Sequence, residues 1–240
     1  LAYRQPVTGN NLAAATALRK KPGDLYKKLN DLETDKSSSK GKEAAAHFIE
    51  SLTDKDSAQE AYEAMQDTFG EILEESKEES TSYLDLKTLQ SCQKQLALAG
   101  SLAKEENYQI PVEINGELTA VNLKILHGGE GGKVSASIST QTYGQITAQF
   151  AVRNQTVSGY VACDSKEGTE KLWVIQDDLK QALAVETADG GTLKVGSVGF
   201  LYSAEANTEG YTPRDLETDE NIQTADLYRI ARVFITSVTA

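Results

Sequence analysis

The sequence predicts an α+β protein: a helical N-terminal region, then a small, mainly antiparallel sheet covered by one amphipathic helix, then a C-terminal helix. Apolar residues recur at helical spacing through the first hundred residues and alternate with polar ones from Asn107 onward. We therefore predict an acidic helical region over residues 1–106, an α+β domain over 107–205 that folds as a separable unit, and a linker with an amphipathic helix over 206–240.

Charge and composition narrow the class of protein. The chain has 240 residues and a formal net charge of −12. Nucleic-acid binding needs clustered Lys and Arg, so it is not expected of this chain. No apolar run approaches the roughly 20 residues that span a bilayer, so membrane insertion is not expected. Two isolated cysteines, Cys92 and Cys163, predict ordinary thiols. The chain begins at Leu1 rather than Met, so we expect a trimmed or processed product with any upstream targeting signal missing.

The N-terminal helices are bounded by recognisable stop and start signals. Pro22-Gly23 ends the first helix, and the Ser/Lys-rich residues 34–42 predict a linker. Ser57 and Glu60 match a capping box. Behind it an apolar stripe recurs at helical spacing, formed by Ala58, Tyr62, Met65, Phe69, Ile72 and Leu73.

The strands are marked by alternation and by turn residues. Residues 108–114 alternate and run into Asn115-Gly116, a strong hairpin signal, so residues 118–126 are the predicted partner strand. After a Gly-rich turn, Val134, Ala136 and Ile138 alternate with serines. Further strands are predicted over 146–150, 157–161 and 193–201, each hiding one face.

Two later segments return to helical spacing. In residues 167–185 we expect Leu172, Ile175, Leu179 and Leu183 to cover the sheet. Trp173 flanks them and is expected to be a core or edge packing residue, with a binding anchor as the less favoured alternative. Residues 203–220 are polar and predict a linker or strap. The C-terminal helix must bury its apolar side against the sheet domain, the N-terminal helices or a partner; that side comprises Leu227, Ile230, Ala231, Phe234 and Ile235.

A search for reactive constellations yields no catalytic residue, no metal site and no cofactor. The Gly-rich segment from His127 to Lys133 fails the P-loop pattern at the first Gly and at the residue after Lys. Ser197 lacks the preceding Gly of a nucleophile elbow. The two histidines, His47 and His127, are isolated from each other and from the cysteines, which gives no zinc spacing. These observations predict a non-enzymatic protein.

Residues 134–201 resemble the C-terminal domain of the bacterial flagellar hook-length control protein family. The resemblance lies in an alternating strand from Val134 to Thr140, a turn at Gln141-Thr-Tyr143-Gly144, and a second strand from Gln145 to Phe150. A third strand, a helix with spaced leucines and a last strand follow. Tyr143 stands where the family commonly has Leu.

The resemblance implies a protein that travels through the flagellar export apparatus. Its C-terminal domain would contact the export gate and switch export from hook to filament subunits, and Tyr143 and Gly144 would contact the partner. The implied location is cytoplasmic, with export through the flagellar apparatus. Two alternatives stay open: a general protein-interaction or surface-associated module that shares a simple topology, and, as a poor third, a hydrolase or ligand-binding enzyme.

Overall fold

The elements lie in the predicted order in a computed structural model, which describes residues 9–32, 40–79, 83–128, 131–187, 190–203 and 224–239. The helices are Gly9–Lys20 (α1), Pro22–Leu32 (α2), Lys40–Glu50 (α3), Lys55–Glu79 (α4), Tyr83–Ala103 (α5), Lys166–Ala182 (α6) and Thr224–Thr239 (α7). The strands are Asn107–Ile114 (β1), Glu117–Gly128 (β2), Gly131–Thr140 (β3), Gly144–Arg153 (β4), Thr156–Cys163 (β5) and Lys194–Tyr202 (β6). The α+β class is thereby confirmed.

All six strands form one sheet in sequence order, β1 to β6. The first five are antiparallel neighbours joined by short turns. The β1–β2 turn is Asn115-Gly116, with φ of 51° and 76°, which is the left-handed conformation that this dipeptide tolerates. β6 instead pairs in parallel with β5, because α6 carries the chain back along the sheet between them.

One face of the sheet is buried and the other is polar. Val134, Ala136 and Ile138 are buried, whereas the intervening serines are half-buried or exposed. α7 lies on the buried face: the rings of Phe234 and Phe150 are 5.8 Å apart. The apolar side predicted for α7 is confirmed, and it packs on the sheet and on helices α3, α4 and α6.

The outer edge of β1 is closed by tyrosines rather than by another strand. The hydroxyls of Tyr26 (2.8 Å) and Tyr62 (3.2 Å) donate to the Gln109 carbonyl, and the Gln109 N–H donates to the Tyr62 hydroxyl at 3.4 Å. Burial raises the pKa of Tyr62 to about 12, so this hydroxyl keeps its proton. Pro111 removes another donor from the same edge, and the edge is therefore blocked to further strands.

The buried residues form a single cluster that crosses the predicted boundary at residue 107. Phe48 and Tyr62 from the helical region lie 5.5 and 5.3 Å, ring to ring, from Tyr108 of β1. The same cluster continues through the sheet to Val238 of α7. The helices and the sheet thus share one core, which one folding unit is expected to have.

Several local predictions need correction. α4 is capped by Asp54, whose carboxylate accepts the Ser57 N–H at 2.9 Å, so Ser57 lies inside the helix and the predicted capping box is wrong. The hydrogen bond from the Ser57 backbone lowers the pKa of the Asp54 carboxyl. Of the predicted linker at 34–42, residues 40–42 are helical and 34–39 lie outside the described residues. Of the linker or strap predicted at 203–220, residues 204–220 also lie outside them.

Candidate functional site

Three elements meet around Cys163, at the end of β5. Tyr202 at the end of β6 pairs with it in register, and the Ser203 N–H donates to the Cys163 carbonyl at 2.9 Å. From the other side, the Cys163 thiol donates to the carbonyl of Tyr143, in the β3–β4 turn, at 3.1 Å. α6 begins three residues after Cys163. The sequence-predicted residues Tyr143 and Gly144 therefore lie at the start of α6 and the end of β6.

Every polar group of Tyr143 is engaged within the chain. Its carbonyl accepts the Ser165 hydroxyl at 2.6 Å, and its N–H donates to Thr140 Oγ1 at 2.8 Å. Its hydroxyl contacts the Asn115 side chain, and Lys171 Nζ lies 4.8 Å from the centre of its ring. These contacts fix the turn against α6 and leave Tyr143 half-buried. A partner contact by Tyr143 stays a prediction.

Gly144 and Gly168 allow the turn and the helix to approach closely. Gly144 has a φ of 70°, and a Cβ there would lie 2.2 Å from Asp164 Oδ1, the oxygen that accepts the Gln145 N–H at 2.6 Å. A Cβ on Gly168 would lie 2.3 Å from the Cys163 sulfur. The Ser165 hydroxyl caps α6 by accepting the Gly168 N–H at 2.9 Å. The junction is thus held by contacts that side chains at either glycine would break.

Four large apolar side chains remain exposed on α6, which begins at this junction, and on β6, which ends there. On α6, Trp173 is 54% exposed and Val174 is 81% exposed; at the end of β6, Leu201 is 42% and Tyr202 is 52% exposed. We call these four residues the α6–β6 surface; successive strand residues point to opposite faces, so Tyr202 lies on the α6 side of the β6 edge and Leu201 on the other side. A contiguous apolar patch, unlike a single exposed apolar residue, marks a place where another molecule binds. Trp173 is therefore not a core residue, whereas edge packing and a role as a binding anchor stay predictions.

The outer side of β6 is an unpaired strand edge within the part of the chain that the structure describes. β6 comes last in the sheet order, and most of its residues are half-buried or exposed. It carries one charged residue, Lys194, and two glycines. Edges that resist pairing usually carry charges or proline, as the β1 edge does. The β6 edge has neither along residues 195–202.

A signal for part of this surface is present in the sequence. Residues 172–175 are four consecutive apolar residues in a helix, Leu-Trp-Val-Ile. A helix packed on one sheet buries a single stripe, so such a run must expose part of itself. Leu172 is buried, whereas Trp173 and Val174 face solvent. The exposure of Leu201 and Tyr202 has no comparable sequence signal, because it depends on β6 being the edge.

A second polar cluster lies where α4, the α5–β1 turn and β2 meet. Glu106 is buried and pairs with Lys55 Nζ at 2.6 Å and with His127 Nε2. Burial raises the pKa of Glu106, but the hydrogen bonds from His127 and Lys55 outweigh burial and hold the pKa below its ordinary value. Nearby, the Tyr108 and Tyr228 hydroxyls are 3.2 Å apart, and burial raises the pKa of both. These partners make the cluster an internal ion-pair network.

The reactive side chains stay dispersed. His47 is exposed on α3, whereas His127 is held by Glu106, and Cys92 and Cys163 are both buried free thiols. Within the described ranges, no three His, Cys, Asp or Glu side chains are grouped as metal ligands. None of the helices described is both long and apolar enough to cross a membrane.

Comparison with known proteins gives this chain no relatives. No family model matches it, and neither a curated protein nor a solved structure is significantly similar to it.

Proposed function

We propose that this chain is a non-enzymatic protein-binding component and that it binds its partner through the α6–β6 surface. The observation that carries the proposal is the exposure of Trp173, Val174, Leu201 and Tyr202 beside an unpaired, charge-poor strand edge. Aromatic side chains such as Trp and Tyr dominate the binding energy of many protein interfaces. An edge strand also offers backbone donors and acceptors to an extended segment of a partner.

We further propose that the partners belong to bacterial flagellar hook assembly, with the export gate as the expected contact. Support comes from residues 134–201, whose order of strand, turn, strand, strand, helix and strand is the order that the hook-length control resemblance implies. The β3–β4 turn with Tyr143 and Gly144 lies against α6. A partner on the α6–β6 surface would therefore come close to the turn that the resemblance assigns to recognition.

The contact is tested by photo-crosslinking in the living source bacterium. A photoreactive amino acid replaces Val174, the most exposed residue of the α6–β6 surface, or Ala64, an exposed residue of α4, as the matched control. We expect a covalent adduct with a flagellar export protein from position 174 and none from position 64. The double variant Trp173→Ser/Leu201→Ser should lose the interaction and keep its melting temperature.

The flagellar role has its own readout, which is the distribution of hook lengths seen by electron microscopy. Deletion of the gene should broaden this distribution, and the Trp173→Ser/Leu201→Ser variant should reproduce the defect. Hooks of normal length in the deletion strain would reject the flagellar role and favour a general interaction module. Absence of any adduct from position 174, with a stable protein, would reject the α6–β6 surface itself.

A further inference from the structure

A pocket of about 270 Å³ lies among α2, α3, α4 and the strands β1 and β2, and Thr239 at the end of α7 also lines it. Its walls are mainly apolar, formed by Leu29, Ile49, Phe69, Ile72 and Leu118. Lys42 and Glu113 also line it, and their side chains are about half exposed, so they mark the mouth. The pocket therefore has an apolar interior and a polar entrance, as small-molecule sites commonly have.

Small residues of α3 keep this space open. Gly41, Ala45 and Ala46 all line the pocket. Gly41 is buried, and a Cβ there would lie 2.8 Å from Phe69 Cε1, so the ring rests against a residue without a side chain. Protein interiors are otherwise close-packed, and a leucine at position 45 would project into this space. The small residues of α3 thus leave the volume of the pocket unfilled.

Among the lining residues that the structure describes, none carries an unpaired charge at the mouth. Lys42 Nζ lies 2.6 Å from Glu113 Oε2, so each group neutralises the other. A charged ligand would have to break this pair, and moving a charge into the apolar interior would be unfavourable. An uncharged ligand keeps the pair intact and gains the burial of its apolar surface.

We propose that this pocket binds a small, uncharged, mainly apolar molecule, such as an alkyl-substituted aromatic alcohol. The volume sets the size: a cavity of about 150 Å³ holds one benzene ring, so about 270 Å³ takes roughly ten non-hydrogen atoms. A polar hydroxyl at one end of the ligand meets the Lys42–Glu113 pair, and the hydrocarbon end lies against Phe69. This site is independent of the proposed protein-binding role.

The test uses three probes of nearly equal shape: 4-methylbenzyl alcohol, 4-methylbenzoate and 4-methylbenzylamine. Titration calorimetry and melting curves are measured on the full chain. We expect the alcohol to bind saturably and raise the melting temperature, with at least tenfold weaker binding of both ions. The proposal is overturned if none of the three binds, or if either ion binds as tightly as the alcohol.

Variants locate the binding and test the role of the mouth. Ala46→Leu at the exposed rim and Ala45→Leu inside should each weaken the alcohol at least tenfold, whereas Ala64→Leu, on the exposed face of α4, should not. Glu113→Gln leaves Lys42 unpaired, so it should tighten binding of 4-methylbenzoate. Retained alcohol binding by a folded Ala46→Leu variant would place the ligand elsewhere and overturn the assignment. No gain of 4-methylbenzoate binding in Glu113→Gln would overturn the role given to the ion pair.

Discussion

At the scale of single residues, Glu106 carries a carboxylate into a buried position between α5 and β1. Its backbone φ of 56° is unusual for a residue other than glycine, and its carbonyl accepts the Ile125 N–H at 3.1 Å. Lys55 and His127 then satisfy its side chain. Glu106, in the α5–β1 turn, thus connects helix α4 and strand β2 through its contacts. Removal of its charge should weaken the packing of all three segments.

Glu106→Gln tests this ion-pair network. Because the pKa of Glu106 is lowered in the folded chain, its charge stabilises the fold above the ordinary glutamate pKa, and the stabilisation is lost as the pH falls through the lowered value. We expect the variant to melt below the wild type at pH 7. The difference should shrink between about pH 5 and pH 3.

Glu105→Gln provides the matched control for that measurement. Glu105 is exposed and adjacent, so its removal should leave the melting temperature nearly unchanged across the same range. A Glu106→Gln variant whose deficit stays constant down to pH 3 would show that the charge of Glu106 does not stabilise the fold.

At the scale of elements, α6 has two sides with different environments. Leu172, Leu179 and Leu183 are buried against the sheet, and Ile175 is half-buried. Trp173 and Val174 point away from it into solvent. The leucine side stabilises the fold, and the exposed side is the one that we propose to bind a partner.

Leu179→Ala should lower the free energy of unfolding by about 2–5 kcal/mol, because it leaves a cavity in a filled core. Asp178→Ala, one residue earlier on the exposed side, should change it by less than about 0.5 kcal/mol. Denaturant unfolding followed through Trp173 fluorescence measures both. Equal stability of the two variants would mean that α6 does not cover the sheet in solution.

The order and type of the elements follow from the sequence, whereas some of their ends and neighbours do not. Asn115-Gly116 fixes the first hairpin locally, and the alternation at Val134, Ala136 and Ile138 fixes which face is buried. The start of α4 was misassigned because Asp54 and Ser57 are both good caps and spacing alone does not choose between them. Contacts between residues far apart in the sequence, such as the hydrogen bonds from Tyr26 and Tyr62 to the Gln109 carbonyl, have no local sequence signal.

The candidate site, too, is only partly predictable from the sequence. Tyr143 and Gly144 were predicted through a family resemblance, and the four residues of the α6–β6 surface were not. Trp173 was expected to pack, since most tryptophans are largely buried. The four consecutive apolar residues at 172–175 indicate that part of this run is exposed, but the helical period alone does not determine that Trp173 is the exposed residue.

At the scale of the whole molecule, the helical region and the sheet complete each other's core. Removing residues 1–106 would uncover Tyr108, which packs on Phe48 and Tyr62, and removing α7 would uncover Phe150. This continuity argues against the separable unit predicted from the change of period at Asn107. Periodicity reports the local element, and it does not report which elements share a core.

We therefore expect the fragment 107–205 to lack a cooperative melt, whereas the full chain melts in one transition. Differential scanning calorimetry of the two proteins makes the comparison, and the fragment 107–240, which keeps α7, tests the contribution of that helix. A sharp transition in the fragment 107–205 would restore the division at residue 107.

The difference between the two edges of the sheet also sets how many molecules can join it. The β1 edge is closed by Tyr26, Tyr62 and Pro111, so a strand added at β6 brings no second growing end from this chain. If a partner strand adds at β6, as proposed, addition would stop at one strand per chain, because the described residues offer no second open edge on which a fibre could grow. A closed second edge of this kind suits a protein that binds its partner repeatedly and must not polymerise.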